Sequence, residues 1–457
     1  MSYSVESAGG FAELLRFRRN PVEYVAELGR RSLDIRSLQF GTRRIFQLNH
    51  PDLIRDVLVT HDWNFVKGPA LRASHFVLGE GLLTSEGELH RRQRRLVQPA
   101  FHSARLTGYG MTMVECAQQT SKQWTDSKLV AIDQEMMRLT LQIVGRTLFS
   151  TDLREDAAGV GNSLTRALRL FLTINHPVTQ ALFPLRRLAE CKAARVRGEI
   201  EQVLRKVIGD HRNHPDCYDD MLSMLIRSSD DGGTGFMSNE LLLDESRTLF
   251  LAGHETTANA LTWTWYLLAQ HPEAAERLHA ELDRELNSLP PKPSELSRLT
   301  FTGQVFREAL RLYPPAWIVA RKAVTDYQLG ELKVPAGSIL TMSPYATQRD
   351  PRFWENPEVF NPDRWTDEAC AARPKFAFFP FGAGTRVCIG EHFAMMEGIL
   401  LLATLAQQWN LKLVAGQKIQ LWPQITLRPR HSILMRLESR TGTTPGFAES
   451  DNVLCSS

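Results

Sequence analysis

The chain has 457 residues, 43% hydrophobic and 23% charged, with a formal net charge of +3. That is ordinary globular usage, with length enough for a core that encloses a cofactor, and so small a charge gives no argument for nucleic acid as a partner. Residues 1–31 hold no long apolar run, since Arg18 and Arg19 follow Phe17 at once; neither a secretory signal nor a membrane span of roughly 20 apolar residues is expected, and the reading is a cytoplasmic protein.

Residues 1–50 read as strand-rich, with Leu38, Phe40, Phe46 and Leu48 around a break at Gly41-Thr42, and Asn49-His50-Pro51 ending the run. From Pro51 to about Leu286 helical spacing dominates, as in Ile200, Val203, Leu204, Val207 and Ile208. A polar loop spans Ser229 to Gly233. Ser238 is then a good N-cap, with Glu240 in the first turn, for a helix reaching Gln270, where His271-Pro272 interrupts it. The most apolar window, Leu241 to Leu268, carries Asp244, Glu245, Arg247, His254 and Glu255, so it reads as a buried helix. Pro290 to Pro293 is a second loop. The stretch of about 320–345 is strand-rich, with breaks at Leu329-Gly330 and Pro335-Ala336-Gly337. A last helix, about Glu391 to Gln408, precedes short strands near Leu411 and Leu434, and 441–457 is a polar tail. No repeat and no βαβ rhythm is present. The expectation is one mainly α (α+β) domain over 1–440, with small sheets at one side.

The six cysteines, Cys116, Cys191, Cys217, Cys370, Cys388 and Cys455, form no C-x-x-C pair, which removes zinc-ribbon and thioredoxin-type sites. Only Cys388 needs a special explanation. It stands in Phe378-Phe379-Pro380-Phe381-Gly382-Ala383-Gly384-Thr385-Arg386-Val387-Cys388-Ile389-Gly390, which runs into an apolar helix. A thiolate in apolar surroundings is costly unless a metal, backbone N–H groups or a helix N-terminus stabilises it. Gly382, Gly384 and Gly390 would let the backbone approach the sulfur. If Cys388 holds heme iron, Phe381 would cover that face and exclude water, and Arg386 would pair with a propionate. A thiolate ligand pushes electron density through iron and favours O–O cleavage. A dinucleotide loop is a poor alternative, because Val387 stands where its third glycine belongs.

The pattern Phe381-x-x-Gly384-x-Arg386-x-Cys388-x-Gly390 resembles the signature of the cytochrome P-450 family, without substitution at its defining positions. The resemblance implies a large helical domain with small sheets, heme b (iron protoporphyrin IX) between two central helices, and Cys388 as the metal ligand. It also gives roles to residues that are unremarkable alone. Glu308-Ala309-Leu310-Arg311 is similar to the family's E-x-x-R pair, with Arg364 of Phe360-Asn361-Pro362-Asp363-Arg364-Trp365 completing a structural triad.

In Ala252-Gly253-His254-Glu255-Thr256-Thr257, a zinc-protease helix is excluded because Ala258 stands where the second histidine would be. There the small Ala252 and Gly253 leave room for dioxygen over the heme. The resemblance implies that Thr256, able to bond back to the i−4 carbonyl, is the distal alcohol and Glu255 the adjacent acid, together serving proton delivery. His254 is read as a packing residue. His90 and Arg94, one turn apart, and Arg321 are expected to meet the propionates. Gln348 departs from the histidine that the family often carries before Arg349-Asp350-Pro351, a position outside the oxygen chemistry.

The implied function is a heme-thiolate monooxygenase inserting one atom of O2 into a hydrophobic small molecule, by hydroxylation or epoxidation of a lipid- or terpenoid-like compound. A peroxygenase or isomerase, and a non-enzymatic heme sensor, are the alternatives. About seventy residues follow the cysteine loop, with no flavin or iron–sulfur pattern, so electrons are expected from a separate ferredoxin or flavodoxin with its reductase. The basic run Arg91, Arg92, Arg94, Arg95 would help to dock it. Pocket walls are expected from Leu71 to Leu82, Ala167 to Arg197, Leu249 to Thr256, Ala316 to Ala320 and Gln424 to Thr426.

Overall fold

Asn20 begins the first well-capped helix. Its side chain accepts from the Glu23 N–H, Pro21 fixes the first turn, and Val22, Val25 and Leu28 are buried on one face. In this computed structural model, which describes residues 3–440 except 10, 41–42, 153–165, 167–169, 171–182 and 231–236, the stretch 1–50 is therefore not all strand. Helices α1 (Phe11–Arg19) and α2 (Pro21–Arg30) separate β1 (Val5–Gly9) from β2 (Ile35–Phe40) and β3 (Arg43–Leu48). Helical spacing of apolar residues with a cap outweighs the extended reading there. The Gly41-Thr42 break lies outside the described residues, as do most of the Ser229–Gly233 loop and the tail 441–457.

A six-stranded sheet has the order β1-β2-β3-β9-β6-β4, with β4 (Phe65–Lys67), β6 (Val319–Ala323) and β9 (Ile339–Met342). Strand β4 interrupts the stretch read as helical, and its antiparallel pairing with β6 sets Lys67 across from Arg321. Strands β7 (Tyr327–Leu329) and β8 (Leu332–Val334) make the hairpin predicted around Gly330. A three-stranded sheet joins β5 (Leu129–Ala131), β13 (Leu434–Ser439) and β10 (Trp409–Leu413), and β11 (Leu421–Pro423) pairs with β12 (Leu427–Pro429).

The longer helices that follow α2 are α3 (Gly87–Val97), α4 (Ser103–Lys122), α5 (Ile132–Leu148), α6 (Phe183–Asn213), α7 (Met221–Asp230), α8 (Asn239–Gln270), α9 (Pro272–Leu286), α10 (Thr300–Leu312) and α11 (Glu391–Ala406). Helix α8 is the axis of the main core. Ser238 caps it as predicted, its Oγ accepting from the Leu241 N–H at 3.2 Å, and it ends at Gln270. It is buried on nearly every side because α5, α10 and α11 all pack on it. Helix α11 starts three residues after Cys388 and is itself almost wholly buried from Phe393 onward. No described helix is long and apolar enough to cross a membrane.

Candidate active site

The cysteine loop is held by its own backbone. The Gly382 N–H donates to Phe379 O (3.0 Å), Val387 N–H to Gly384 O (3.1 Å) and Cys388 N–H to Phe381 O (2.9 Å). Gly382 and Gly384 have φ of 71° and 67°, the left-handed region in which side chains are strained. At Gly384 a Cβ would also lie 1.9 Å from Leu58 O. Gly390 is different. Its φ of −95° suits any residue, and an added Cβ would meet only the Phe101 ring at 3.6 Å, so the conformational argument does not extend to it. Its part is the N–H that bonds the Cys388 sulfur. The Cys388 thiol combines two properties: its side chain has accessible surface, yet burial raises its pKa. Glu391 adds to the rise, while the Gly390 N–H and the Arg94 charge oppose it. Accessible but desolvated describes a group lining an internal cleft.

Around one edge of this loop four cations and a histidine converge. Arg94 donates to Val387 O (2.8 Å). Arg386 pairs with Glu86 and donates to Ser85 O (3.0 Å). Arg321, 8% exposed, has only the Ala320 carbonyl (3.1 Å) for a partner among the described residues. Burial and the Arg386 charge push its pKa down to about 10. His90, 4% exposed, is pushed down to about 3 by burial and by Arg386, Lys67, Arg94 and Arg321; it is neutral, with an N–H still to donate. Lys67 completes the set. Its Nζ donates to Leu82 O (2.8 Å) and Ser85 O (2.7 Å), and burial with Arg386 lowers its pKa to about 7. Glu86 is the nearest counter-charge. So much buried positive charge fits an anionic group, and an accessible thiol beside it fits a metal carried by that group. The residues present therefore suit heme, a flat apolar ring with a ligatable iron and two carboxylates.

Helix α8 supplies the second face. Ala252 is exposed and Gly253 and Thr256 are half-buried within a helix whose other residues here are buried, so this turn borders the cleft. Thr256 Oγ1 donates to Ala252 O (2.8 Å), as the sequence predicts. Ser246, Thr262 and Thr264 make the same i−4 bond in α8, so the bond is not what distinguishes Thr256; its position beside Ala252 is. Gly253 has another reason than room for dioxygen. A Cβ there would come within 2.9 Å of Val144 Cγ2 on α5, so the glycine admits the crossing helix. Glu255 does not share the Thr256 face. It is 2% exposed, and its Oε1 accepts from Arg428 Nε (2.8 Å) and from the Thr426 hydroxyl. Thr426 also accepts from Asn259 Nδ2 (3.2 Å). His254 is a packing residue as expected, its Nδ1 2.8 Å from Phe250 O.

Behind the loop, Glu308 and Arg311 are 0% exposed and joined by two hydrogen bonds, 2.7 and 2.9 Å. Such a pair needs its remaining lone pairs and N–H groups satisfied. Glu308 also accepts from the Asn361 N–H (3.0 Å) and Trp365 Nε1 (3.0 Å), and Arg311 donates to Gln348 O, Pro357 O and Val359 O. Arg364 Nε lies 3.3 Å from Glu308 Oε1, a charge contact without hydrogen-bond geometry. Gln348, set aside in the sequence, ties this unit to the cysteine loop. Its Nε2 donates to Leu310 O and Arg311 O, and its Oε1 accepts from the Phe379 N–H (3.3 Å).

Sequence reasoning missed Lys67, Glu86 and Gln348. Only the β4–β6 register could have revealed Lys67, no motif marks Lys67 or Glu86, and the motif position of Gln348 says nothing of the carbonyls it meets. Of the expected pocket walls, Phe76, Ile318, Val319 and Ile425 are partly buried, and Trp317 is buried with Nε1 donating to Gln424 O (3.0 Å). Residues 167–169 and 171–182 of the Ala167–Arg197 wall lie outside the described residues.

Comparison with known proteins agrees with this geometry. The family model described as Cytochrome P-450 matches residues 9–435. Cyclooctatin synthase of Streptomyces melanosporofaciens is 37% identical over 421 residues, 90% of each chain. Pentalenene oxygenase of Streptomyces avermitilis is 33% identical over 93% of this chain and 94% of its own. Cyclooctat-9-en-7-ol 5-monooxygenase of Streptomyces melanosporofaciens is 32% identical over 87% and 86%. A glycine-turned cysteine loop, a cluster of cations beside it and a match over nearly the whole length lead to one conclusion: the chain belongs to the cytochrome P-450 family of heme-thiolate monooxygenases.

Proposed function

We propose that this monooxygenase, with heme b held by Cys388, hydroxylates or epoxidises a terpenoid, drawing electrons from a ferredoxin or flavodoxin with its reductase, in the cytoplasm. The observation that carries the heme assignment is the pairing of an accessible, desolvated Cys388 with the buried Lys67 and Arg321, the half-buried Arg94 and Arg386, and the neutral, buried His90. When bound, heme supplies oxygen activation, with the thiolate donating electron density to its iron.

The chain's own residues do the rest. Gly390 N–H and the Arg94 charge favour the ionised sulfur against the burial that raises its pKa, and coordination to the iron would complete that stabilisation. Phe381, half-buried in the same loop, would help to keep water from the sulfur. His90, Lys67 and Arg321 would donate to the propionates when heme is bound, and Arg386, steadied by Glu86, would add its charge. On the far side, Thr256 Oγ1 is the hydroxyl able to hand a proton into the cleft, because Ala252 beside it leaves that face open. Glu255 begins in the grip of Arg428 and Thr426, so it reaches Thr256 only after that contact opens.

For the substrate, the side chains expected to line the pocket, Phe76, Trp317, Ile318, Val319 and Ile425, would offer almost purely apolar contact. The names of the relatives, pentalenene and cyclooctat-9-en-7-ol among them, denote hydrocarbon and mono-alcohol substrates of that character. The test is a titration of the ferric heme protein with polycyclic terpenoid hydrocarbons and alcohols. A low-spin to high-spin change, followed by formation of a product one oxygen heavier, is expected; no spectral response to any terpenoid, with turnover of another lipid class, would refute the substrate assignment.

A further inference from the structure

Glu245 is the most deeply buried acid on α8, and the oxygen chemistry makes no use of it. Its Oε2 accepts from the Leu82 N–H (2.9 Å), while its Oε1 has no hydrogen-bond partner among the described residues. A carboxyl sealed from water with one oxygen unsatisfied is costly as an anion. Two residues join it to the cation cluster. Leu82 offers its N–H to Glu245 and its carbonyl to Lys67 Nζ (2.8 Å). Ser85 offers its carbonyl to both Lys67 Nζ (2.7 Å) and Arg386 (3.0 Å). Arg386 stands two residues before Cys388. A continuous line of contacts therefore runs from Glu245, through the 82–85 turn and Lys67, to the edge of the cysteine loop.

The turn sits directly on α8. At Gly81 a Cβ would lie 2.1 Å from Thr248 Oγ1 and 2.6 Å from Asp244 O. Thr248 Oγ1 and Ser85 Oγ are, like Glu245 Oε1, buried and unpartnered among the described residues. Polar atoms of that kind are ordinarily served by buried water, which gives a proton a way in. The surrounding charges are mixed. Burial brings the Lys67 pKa down to about 7; Arg386 and Arg321 act in the same direction, and Glu86 and Glu245 oppose it. Burial lifts the Glu245 pKa to about 8, with Lys67 opposing and Asp244 adding to the rise. Asp244 is itself tied to the Glu80 N–H and to Arg247, and Arg197 and Glu201 of α6 stand beyond them. His90, which faces Lys67, stays neutral.

We propose that Glu245, positioned by Lys67, takes up a proton when the heme iron is reduced, so that the first electron of turnover arrives with its charge compensated. The iron gains one electron from the carrier, a solvent proton forms an O–H bond on Glu245, and no other bond forms or breaks. This rests on the functional reading, since it needs heme at the cation cluster. Negative charge added at the iron favours the protonated carboxyl, and a buried setting screens that effect little. The reduced state thus binds the proton more tightly. The midpoint potential of the heme therefore falls as pH rises through a window of about 6 to 9.

The test is a mediated spectroelectrochemical titration of the heme-loaded protein across that window. Wild type is expected to fall by about 59 mV, the equivalent of ten-fold tighter proton binding in the reduced state. Glu245→Gln keeps an acceptor for the Leu82 N–H but loses most of the fall. Lys67→Met removes a charge that holds the carboxyl acidic and moves the fall to higher pH, a change that a merely structural lysine would not produce. In wild type, the infrared difference spectrum of reduction gains a protonated-carboxyl band, which Glu245→Gln lacks. A level potential in wild type, or no such band, overturns the proton-acceptor claim alone. So does an unaltered fall in Glu245→Gln whose reduced, carbon-monoxide-bound spectrum is that of wild type. A wild-type spectrum lacking the thiolate band would overturn the functional reading itself.

Discussion

Glu255 and Thr256 are adjacent in sequence but face different neighbours. Thr256 borders the cleft, whereas Glu255 is clamped by Arg428 and Thr426 of the β11–β12 region. On this geometry the two residues have separable effects. Thr256→Ala keeps the heme spectrum but diverts reducing equivalents to peroxide, with product per electron pair falling about ten-fold or more; proton-transfer groups contribute roughly 10²–10⁴ in rate. Tight coupling in that variant, read from peroxide and product together, would remove Thr256 from the proton route. Gly253 makes the opposite kind of prediction. Gly253→Ala drives a methyl into Val144 and is expected to cost about 1 kcal/mol, the overpacking penalty of roughly 1–3 kcal/mol being partly offset by better helix propensity. Thermal melting of Gly253→Ala and of Gly253→Ala/Val144→Ala checks this, the double variant regaining part of the loss.

At the scale of elements, the end of α10 and the cysteine loop behave as one piece, because Glu308, Arg311 and Gln348 satisfy one another and the backbone around them. Glu308→Ala leaves the Arg311 guanidinium buried without its partner, which costs about 3–5 kcal/mol. Melting should show that loss together with faster heme release, whereas loss of stability at unchanged heme retention would separate the two. Much of this was legible in the sequence: E-x-x-R in an apolar helix, the Ser238 cap and the glycine-rich string all carry local physical signals. Gln348 was not legible, since a lone glutamine before Arg349-Asp350 says nothing of which carbonyls it will meet. The helices in 11–30 were overlooked because the strand pattern of 35–48 coloured the whole segment, although Asn20-Pro21 is a sound start signal.

The molecule as a whole stores charge in places that only long-range pairing creates. Lys67 and Arg321 become neighbours through strand register, some 250 residues apart in the chain, and no spacing rule announces that. Two carboxyls are buried in a similarly illegible way. Glu245 and Glu397 are each pushed up to about 8 by burial. The Leu82 N–H opposes the rise at Glu245, and nearby Thr257 eases Glu397 without meeting hydrogen-bond geometry. Their folded pKa values lie above the unfolded 4.5, so the folded state binds more protons between pH 5 and 8. Stability therefore falls as pH rises through that window, by at most about 1.4 kcal/mol per pH unit for each carboxyl. Denaturant titrations at pH 5.5 and 8 should show this fall. Glu397→Gln should flatten it and raise stability at pH 8; an identical pH slope in the variant would contradict the assignment.

The assignment of sulfur to iron is tested most directly by the absorption spectrum of the reduced, carbon-monoxide-bound protein. Wild type should show the main band shifted strongly to the red, as thiolate ligation requires, and Cys388→His should lose that shift while still holding heme. A wild-type band at the position of an imidazole-ligated heme, or a red-shifted band that survives Cys388→His, would contradict the account.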